Sequence, residues 1–173
     1  MVSEEVSAGR RASFASKAPA RAGTAVIAVS TAGAVVLLVV LVAVGKGIQQ
    51  VVLIPPLAAS AALVFGAPTL PLSQPRSVIG GQLLSALTGY VVLAVSGSTV
   101  WGSAIAGGLA LGVMMIARTP HSPAAATAVI VVAADPSAAT FLPLLLLATV
   151  VLVLIGVVTG RSGRTARYPS YWW

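Results

Sequence analysis

The sequence is poor in the residues from which disulfides, metal centres and most active sites are built. It has no cysteine, one histidine and three acidic residues among 173. Without cysteine, disulfides and thiolate metal sites are excluded. Charged residues make up 8% of the chain, against about 25% in an average soluble domain. This shortage of charge excludes an ordinary soluble domain, and a hydrophobic content of 58% indicates a polytopic integral membrane protein.

The basic residues lie next to apolar runs rather than on a surface suited to nucleic acid. The net charge is +7, and all lysines and arginines except Lys46, Arg76 and Arg118 lie in the two tails. Positive ends that flank apolar segments are typical of cytoplasmic regions facing anionic lipid. We therefore predict a multi-pass membrane protein with both termini in the cytoplasm, and no nucleic-acid partner.

Composition divides the chain into three parts. Residues 1–22 mix charged residues with Ser, Ala and Gly, which predicts a disordered basic cytoplasmic tail; an amphipathic surface helix is the alternative. Residues 23–160 are predicted to form a single transmembrane domain. Residues 161–173 form a basic tail with aromatic residues at its end, which either lie in the lipid headgroup layer or remain unattached.

Apolar runs predict six membrane segments in the transmembrane domain. They cover residues 24–44, 56–66, 78–95, 101–117, 122–134 and 135–159. Segment six is expected to start with Asp135 as N-cap and Pro136 in the first turn. Segment five starts in the same way with Ser122 and Pro123, and its thirteen residues reach about 20 Å at 1.5 Å per residue. A bilayer core is about 30 Å thick, so the sequence leaves open whether the regions of the two short segments, 48–66 and 119–134, cross fully or re-enter.

The two short segments resemble each other. Windows of ten residues from Pro56 (PLAASAALVF) and Pro123 (PAAATAVIVV) are identical at five positions, and Ser60 aligns with Thr127. Each window is the middle member of a long–short–long trio. The two trios cover residues 24–97 and 101–159. We predict an all-α membrane protein, a helical bundle of two inverted repeats whose middle helices are broken, as in many transporters.

The charges favour six crossings over re-entrant short segments. With six crossings and a cytoplasmic N-terminus, only Lys46 is external, and nine of the ten basic residues are internal. With re-entrant short segments, Arg76 and Arg118 become external as well, and seven remain internal. The positive-inside rule favours the first arrangement.

The stretch from Ala59 to Gln82 (ASAALVFGAPTLPLSQPRSVIGGQ), together with RTPHSPAAATA from Arg118, resembles the HPP family of small integral membrane proteins. In the His-Pro-Pro motif that names the family, His121 and Pro123 match, whereas Ser122 replaces the first proline. The resemblance covers residues 45–160. It implies an integral membrane protein, and some members of the family are implicated in nitrite transport. The family is usually described with four membrane helices, fewer than the six segments predicted here.

The candidate substrate-binding residues lie at the starts of the two short segments and in segment three. They are His121, Ser122, Pro123, Thr127, Pro55, Pro56, Ser60 and Gln82. The positive ends of two helix dipoles, and free amides after Pro56 and Pro123, suit one small anion. In the alternative interpretation these side chains only satisfy backbone carbonyls nearby.

The sequence therefore predicts a transporter or channel for a small anion such as nitrite. The alternative is a non-transporting scaffold or regulatory subunit, which should pack His121, Ser60 and Gln82 without a polar path. No convergent acid, base or metal-binding group is visible, so we expect no enzyme, no cofactor and no metal. The expected partners are a small anion and the lipid bilayer, and the sequence leaves both a monomer and a homo-oligomer open.

Overall fold

The computed structural model describes residues 20–172, and within them all regular structure is helical, as predicted. Residues 1–19 of the predicted disordered tail lie outside this range. The six α-helices are α1 (Thr24–Gly47), α2 (Pro55–Gly66), α3 (Gly81–Ser96), α4 (Val100–Ile116), α5 (Ala125–Ala134) and α6 (Ala138–Gly160). Single turns of other helix types lie at Pro71–Ser73, Arg76–Gly80 and Ser122–Ala124.

Between positions 20 and 172, three helical stretches are long and apolar enough to cross a membrane. They are Thr24–Gly47, Arg76–Ser96, in which a π-turn leads into α3, and Ala138–Gly160. The helices α2, α4 and Ser122–Ala134 are apolar but shorter. The stretch of α4 was predicted to span, yet its 17 residues reach only about 26 Å. These lengths support an integral membrane protein without fixing the number of crossings.

Five arginines lie at or beside one end of the bundle. The guanidinium group of Arg76 donates to the Ala117 carbonyl at 3.1 Å, and the Gln74 side-chain oxygen accepts from the Ser170 amide at 2.8 Å. These contacts bring together residues 67–75, 117–121 and 161–172, which we call the arginine end. Five arginines therefore lie at or beside it: Arg76, Arg118, Arg161, Arg164 and Arg167.

The opposite end carries Asp135. The Ser98 hydroxyl donates to the Ala133 carbonyl at 3.2 Å, and the Tyr90 hydroxyl donates to the Pro136 carbonyl at 3.1 Å. We call residues 48–54, 97–99 and 135–137 the aspartate end. Because the connections alternate between the two ends, successive helices run in opposite directions.

Two hydrophobic clusters hold the helices together. Leu37 of α1, Leu57 of α2 and Leu152 of α6 are fully buried in the larger one. The smaller cluster joins α4 to α5 through residues such as Ala110 and Ala128. Between α3 and α5 the backbones approach closely: a Cβ atom at Gly89 would lie 2.9 Å from both the Ala128 oxygen and the Val131 Cβ.

Segment 161–172 is attached to the bundle rather than free. Tyr168 is 2% exposed and lies against α6, where a Cβ atom at Gly160 would come within 2.6 Å of the Tyr168 nitrogen. Burial raises the pKa of the Tyr168 hydroxyl, which therefore stays neutral. Of the two alternatives for this tail, the unattached one is wrong for residues up to Ser170, since Gln74 also binds the Ser170 amide.

Two helix starts differ from the sequence-based expectation. Asp135 is not the N-cap of α6 but the C-cap of α5, with φ +45°, and α6 begins three residues later at Ala138. A left-handed residue followed by proline stops one helix and turns the chain towards the next. Ser122 is not an N-cap either, because His121 holds that position and Ser122 lies in the single turn that precedes α5.

We expect Gly89→Ala to lower the thermal stability of the purified protein, because the new methyl group must push α5 away from α3. Overpacking of this kind typically costs about 1–3 kcal/mol. Gly108→Ala is the matched control, since a Cβ atom there meets nothing within 4 Å. Thermal unfolding in detergent, followed by tryptophan fluorescence, compares them. Equal melting temperatures for both variants would contradict the close contact between α3 and α5.

Candidate functional site

Four polar side chains from different parts of the chain meet inside the bundle. They are Ser60 of α2, Gln82 of α3, His121 before α5 and Thr127 of α5, and each is 0% exposed. The Ser60 hydroxyl lies 2.8 Å from Nε2 of His121 and accepts from the Gln82 side-chain nitrogen at 3.0 Å. The Thr127 hydroxyl donates to the side-chain oxygen of Gln82. We call these four residues the polar cluster.

The hydrogen bonds of His121 define its tautomer. Nδ1 lies 2.7 Å from the Leu72 carbonyl oxygen, which can only accept, so Nδ1 carries a hydrogen. Nε2 of the neutral ring is then an acceptor and needs the hydroxyl hydrogen of Ser60. That hydroxyl also lies 2.8 Å from the Pro56 carbonyl. The Pro56 carbonyl lies four residues before the Ser60 amide in α2, which is its usual helical donor, so the hydroxyl hydrogen of Ser60 can serve Nε2.

Both short helices begin inside the bundle, directly after an extended residue. Ile54 has φ −117° and ψ 154° and is followed by Pro55 at the start of α2. His121 has φ −144° and ψ 97° and precedes the turn with Pro123. Proline suits the first helical turn because it has no amide hydrogen to leave unpaired. The prolines thus set the helix starts that bring Ser60 next to His121.

Four of the eight predicted site residues lie in contact with one another in the structure. The polar cluster contains four of them, and a fifth, Pro56, contributes its carbonyl. Pro55 and Ser122 are exposed, and Pro123 is only partly buried. These three act through the backbone conformation of the helix starts rather than through contacts with the cluster. The repeat-related pair Ser60 and Thr127 is bridged by Gln82.

The amides expected to hold an anion are not free, which corrects the mechanism predicted from the sequence. The amide after Pro56, that of Leu57, donates to the Ile54 carbonyl at 2.9 Å. The amide after Pro123, that of Ala124, donates to the His121 carbonyl at 2.9 Å. Tight first turns satisfy both groups locally. Hydrogen-bond donors at this place are therefore side chains.

The polar cluster is closed. All four of its residues are 0% exposed. A cavity of about 390 Å³ opens at the aspartate end, and its wall includes Ile54 and Ile130. Ile54 directly precedes Pro55, and Ile130 lies one helical turn after Thr127. Two residues of its wall are therefore close in sequence to the start of α2 and to Thr127.

Sequence reasoning missed two contributors to the site. The Leu72 carbonyl orients His121, and the Ser85 hydroxyl donates to the Ala124 carbonyl. Ser85 could have been found, because it is a polar residue three positions after Gln82 in an apolar helix. Leu72 carries no such signal, since every residue has a carbonyl group. Within residues 20–172, no three His, Cys, Asp or Glu side chains lie close enough together to hold a metal ion.

Comparison with known proteins agrees with a membrane protein of one family. Two transmembrane proteins of Dictyostelium discoideum are 34% and 30% identical to the chain over alignments of 134 positions, each of which covers 72% of the chain. The chain spans 47% and 43% of the length of these relatives. No solved structure matches. The family model described as HPP, transmembrane region, matches residues 19–169. The resemblance seen in the sequence is thus confirmed, and the chain belongs to the HPP transmembrane region family.

Proposed function

We propose that the protein is a transporter or channel for a small anion, with nitrite as the first candidate, and that the polar cluster binds it. The observation that carries this proposal is the complete burial of Ser60, Gln82, His121 and Thr127 in a bundle of apolar helices. Polar side chains within membrane segments are costly, and they commonly line substrate paths. Sites between broken helices near the middle of the membrane are a recurrent transporter design.

The hydrogen bonds of the cluster contribute too little to the stability of the fold to explain why the cluster is present. Hydrogen bonds between membrane helices contribute about 0.6 kcal/mol each on average. The three side-chain bonds among the cluster residues thus contribute only about 2 kcal/mol. Apolar side chains of similar volume, such as Met for Gln82, would fill the same space without burying polar groups. Contact with a polar solute explains the cluster better.

The chemistry of the cluster suits an anion. The hydroxyls of Ser60 and Thr127 and the amide of Gln82 are hydrogen-bond donors once their internal bonds open. The positive ends of the α2 and α5 dipoles lie at the same place. Asp135 is the sole acidic residue between positions 20 and 172, and it lies at the aspartate end of the bundle. A cluster rich in donors and without a carboxylate favours negative solutes over cations.

The closed cluster corresponds to one state of such a transporter. A solute entering by the 390 Å³ cavity meets Ile54 and Ile130 first. Ile54 lies at the extended break before α2, so a change in the backbone there would connect the cavity to Ser60. The solute then replaces internal partners of the cluster with its own oxygen atoms.

For the topology, we propose six crossings in two inverted repeats, with the arginine end in the cytoplasm. The alternating helix directions and the cluster of arginines at one end support this arrangement. The position of Lys46 beside the aspartate end supports it as well. Each short helix then crosses together with its extended neighbour, α2 with residues 48–54 and α5 with residues 117–121.

The second candidate is a non-transporting scaffold or regulatory subunit, which binds other membrane proteins through its apolar faces. One observation favours it: the polar cluster is dry and hydrogen-bonded internally, as expected of such a protein. Neither candidate involves catalysis. Transport assays with cluster variants separate the two.

The topology can be tested because the chain has no native cysteine. Single substitutions Lys46→Cys, Arg76→Cys, Arg118→Cys and Asp135→Cys are probed in intact cells with a thiol reagent that does not cross membranes. We expect labelling at positions 46 and 135 from outside, and at 76 and 118 only after the cells are opened. Outside labelling at 76 and 118 would eliminate six crossings.

The anion site is tested by nitrite flux into liposomes that contain the purified protein. We expect Ser60→Ala and Thr127→Val to weaken the apparent nitrite affinity about tenfold to a hundredfold, because a hydrogen bond to an ion contributes about 1.5–3 kcal/mol. The matched control is Thr88→Val, whose hydroxyl binds only the Leu84 carbonyl of its own helix.

Thermal unfolding of each variant accompanies the flux measurement. Nitrite flux at the wild-type rate in both cluster variants, together with lower melting temperatures, would show that the cluster is structural and would favour the scaffold. No protein-dependent nitrite flux in the wild type would leave the transport proposal without support.

A further inference from the structure

A second site lies at the arginine end, and no residue of the polar cluster lines it. The attached segment 161–172 and residue Thr69 enclose a cavity of about 510 Å³. Its lining includes Arg161, Arg167 and the aromatic residues Tyr171 and Trp172. The volume lies within the usual range for small-molecule sites, about 300–1,000 Å³. Nothing in the proposed transport function uses this cavity.

The segment that forms the wall of this cavity is held in place by contacts with the bundle. Tyr168 is buried against Gly156 and Gly160 of α6, and the Ser170 amide is held by the side-chain oxygen of Gln74. The nitrogen of Gln74 in turn donates to the Pro68 and Leu70 carbonyls. Because these contacts anchor the segment on both sides of Pro169, the cavity is a built feature rather than a chance gap beside a loose tail.

The charge of the cavity is positive and uncompensated within the described range. No hydrogen bond or ion pair joins the guanidinium group of Arg161 or Arg167 to another residue between positions 20 and 172. Asp135, the sole acid in that range, lies at the opposite end of α6, whose 23 residues span about 35 Å. Two guanidinium groups at one cavity, neither with a partner among the described residues, are suited to a phosphate group, which arginine binds through paired hydrogen bonds.

The surroundings indicate where the phosphate comes from. Tyr171 and Trp172 are 42% and 49% exposed, and aromatic side chains of this kind prefer the headgroup layer of a membrane. Most residues that line the cavity come directly after α6 in the chain, and α6 is long and apolar enough to cross the bilayer. These features favour a lipid headgroup over a soluble phosphate ester as the source of the phosphate at Arg161 and Arg167.

We propose that this cavity binds the phosphate group of an anionic phospholipid, with Arg161 and Arg167 as its ligands and the Thr69 hydroxyl as a further donor. Phosphatidylglycerol is the probe lipid, phosphatidylcholine the zwitterionic comparison, and glycerol 3-phosphate the soluble source of the same group. Binding to the full chain in detergent is measured by native mass spectrometry and by the rise in melting temperature on adding each ligand.

We expect the wild-type protein to bind phosphatidylglycerol more tightly than phosphatidylcholine, and to bind glycerol 3-phosphate weakly. Arg161→Gln and Arg167→Gln should each weaken phosphatidylglycerol binding about tenfold or more, the effect of losing a hydrogen bond between charged groups. Arg164→Gln is the matched control, since it removes the same charge from the same segment but does not line the cavity.

Three results would overturn the proposal. They are an equal loss of binding in Arg164→Gln, no preference for the anionic lipid, and glycerol 3-phosphate binding as tight as that of the lipid. Without added lipid, all three glutamine variants should unfold at the wild-type temperature, which separates loss of binding from loss of fold. The Ser60→Ala and Thr127→Val variants, whose positions do not line this cavity, should bind phosphatidylglycerol at the wild-type affinity, so the lipid site is tested independently of nitrite transport.

Discussion

Backbone hydrogen bonding without water is the constraint on which the rest of this structure depends. Hydrocarbon cannot satisfy an amide or a carbonyl, so non-helical backbone at membrane depth must be enclosed by protein. Two extended stretches, one ending at Ile54 and one at His121, interrupt the helices here. Val52 in the first stretch is 4% exposed and His121 in the second is 0% exposed, and His121 lies in contact with Ser60.

Small residues allow α3 to approach the α4–α5 connection closely. Gly81 faces the Thr119 oxygen and the His121 Cβ, where a methyl group would lie within 2.9 Å. Side chains of larger residues would hold α3 away from the α4–α5 connection, and Gln82 would then lie too far from Ser60 to bind it. The close helix contacts and the polar cluster are therefore two aspects of one arrangement: the glycines permit the approach, and the hydrogen bonds fix its position.

The sequence predicted the helix breaks and the polar residues near them, because both have local causes. Proline removes an amide donor wherever it occurs, and a Gln82 or His121 within apolar sequence is visible without a structure. The Leu72 carbonyl, the occupied amides of Leu57 and Ala124 and the attachment of Tyr168 could not be predicted. Each depends on where a distant backbone lies, and no side-chain pattern records that position. Asp135 was misassigned because an acid before proline suits the start of one helix as well as the end of another.

The bond between Gln74 and Ser170 also has a consequence for the order of assembly. Its partners are 96 residues apart, and every helix of the bundle except α1 and α2 is synthesised between them. The loop that carries Leu72, and so orients His121, consequently lacks this support while the ribosome is still making α3 to α6. The support for this loop therefore comes from a segment that is synthesised after the six described helices.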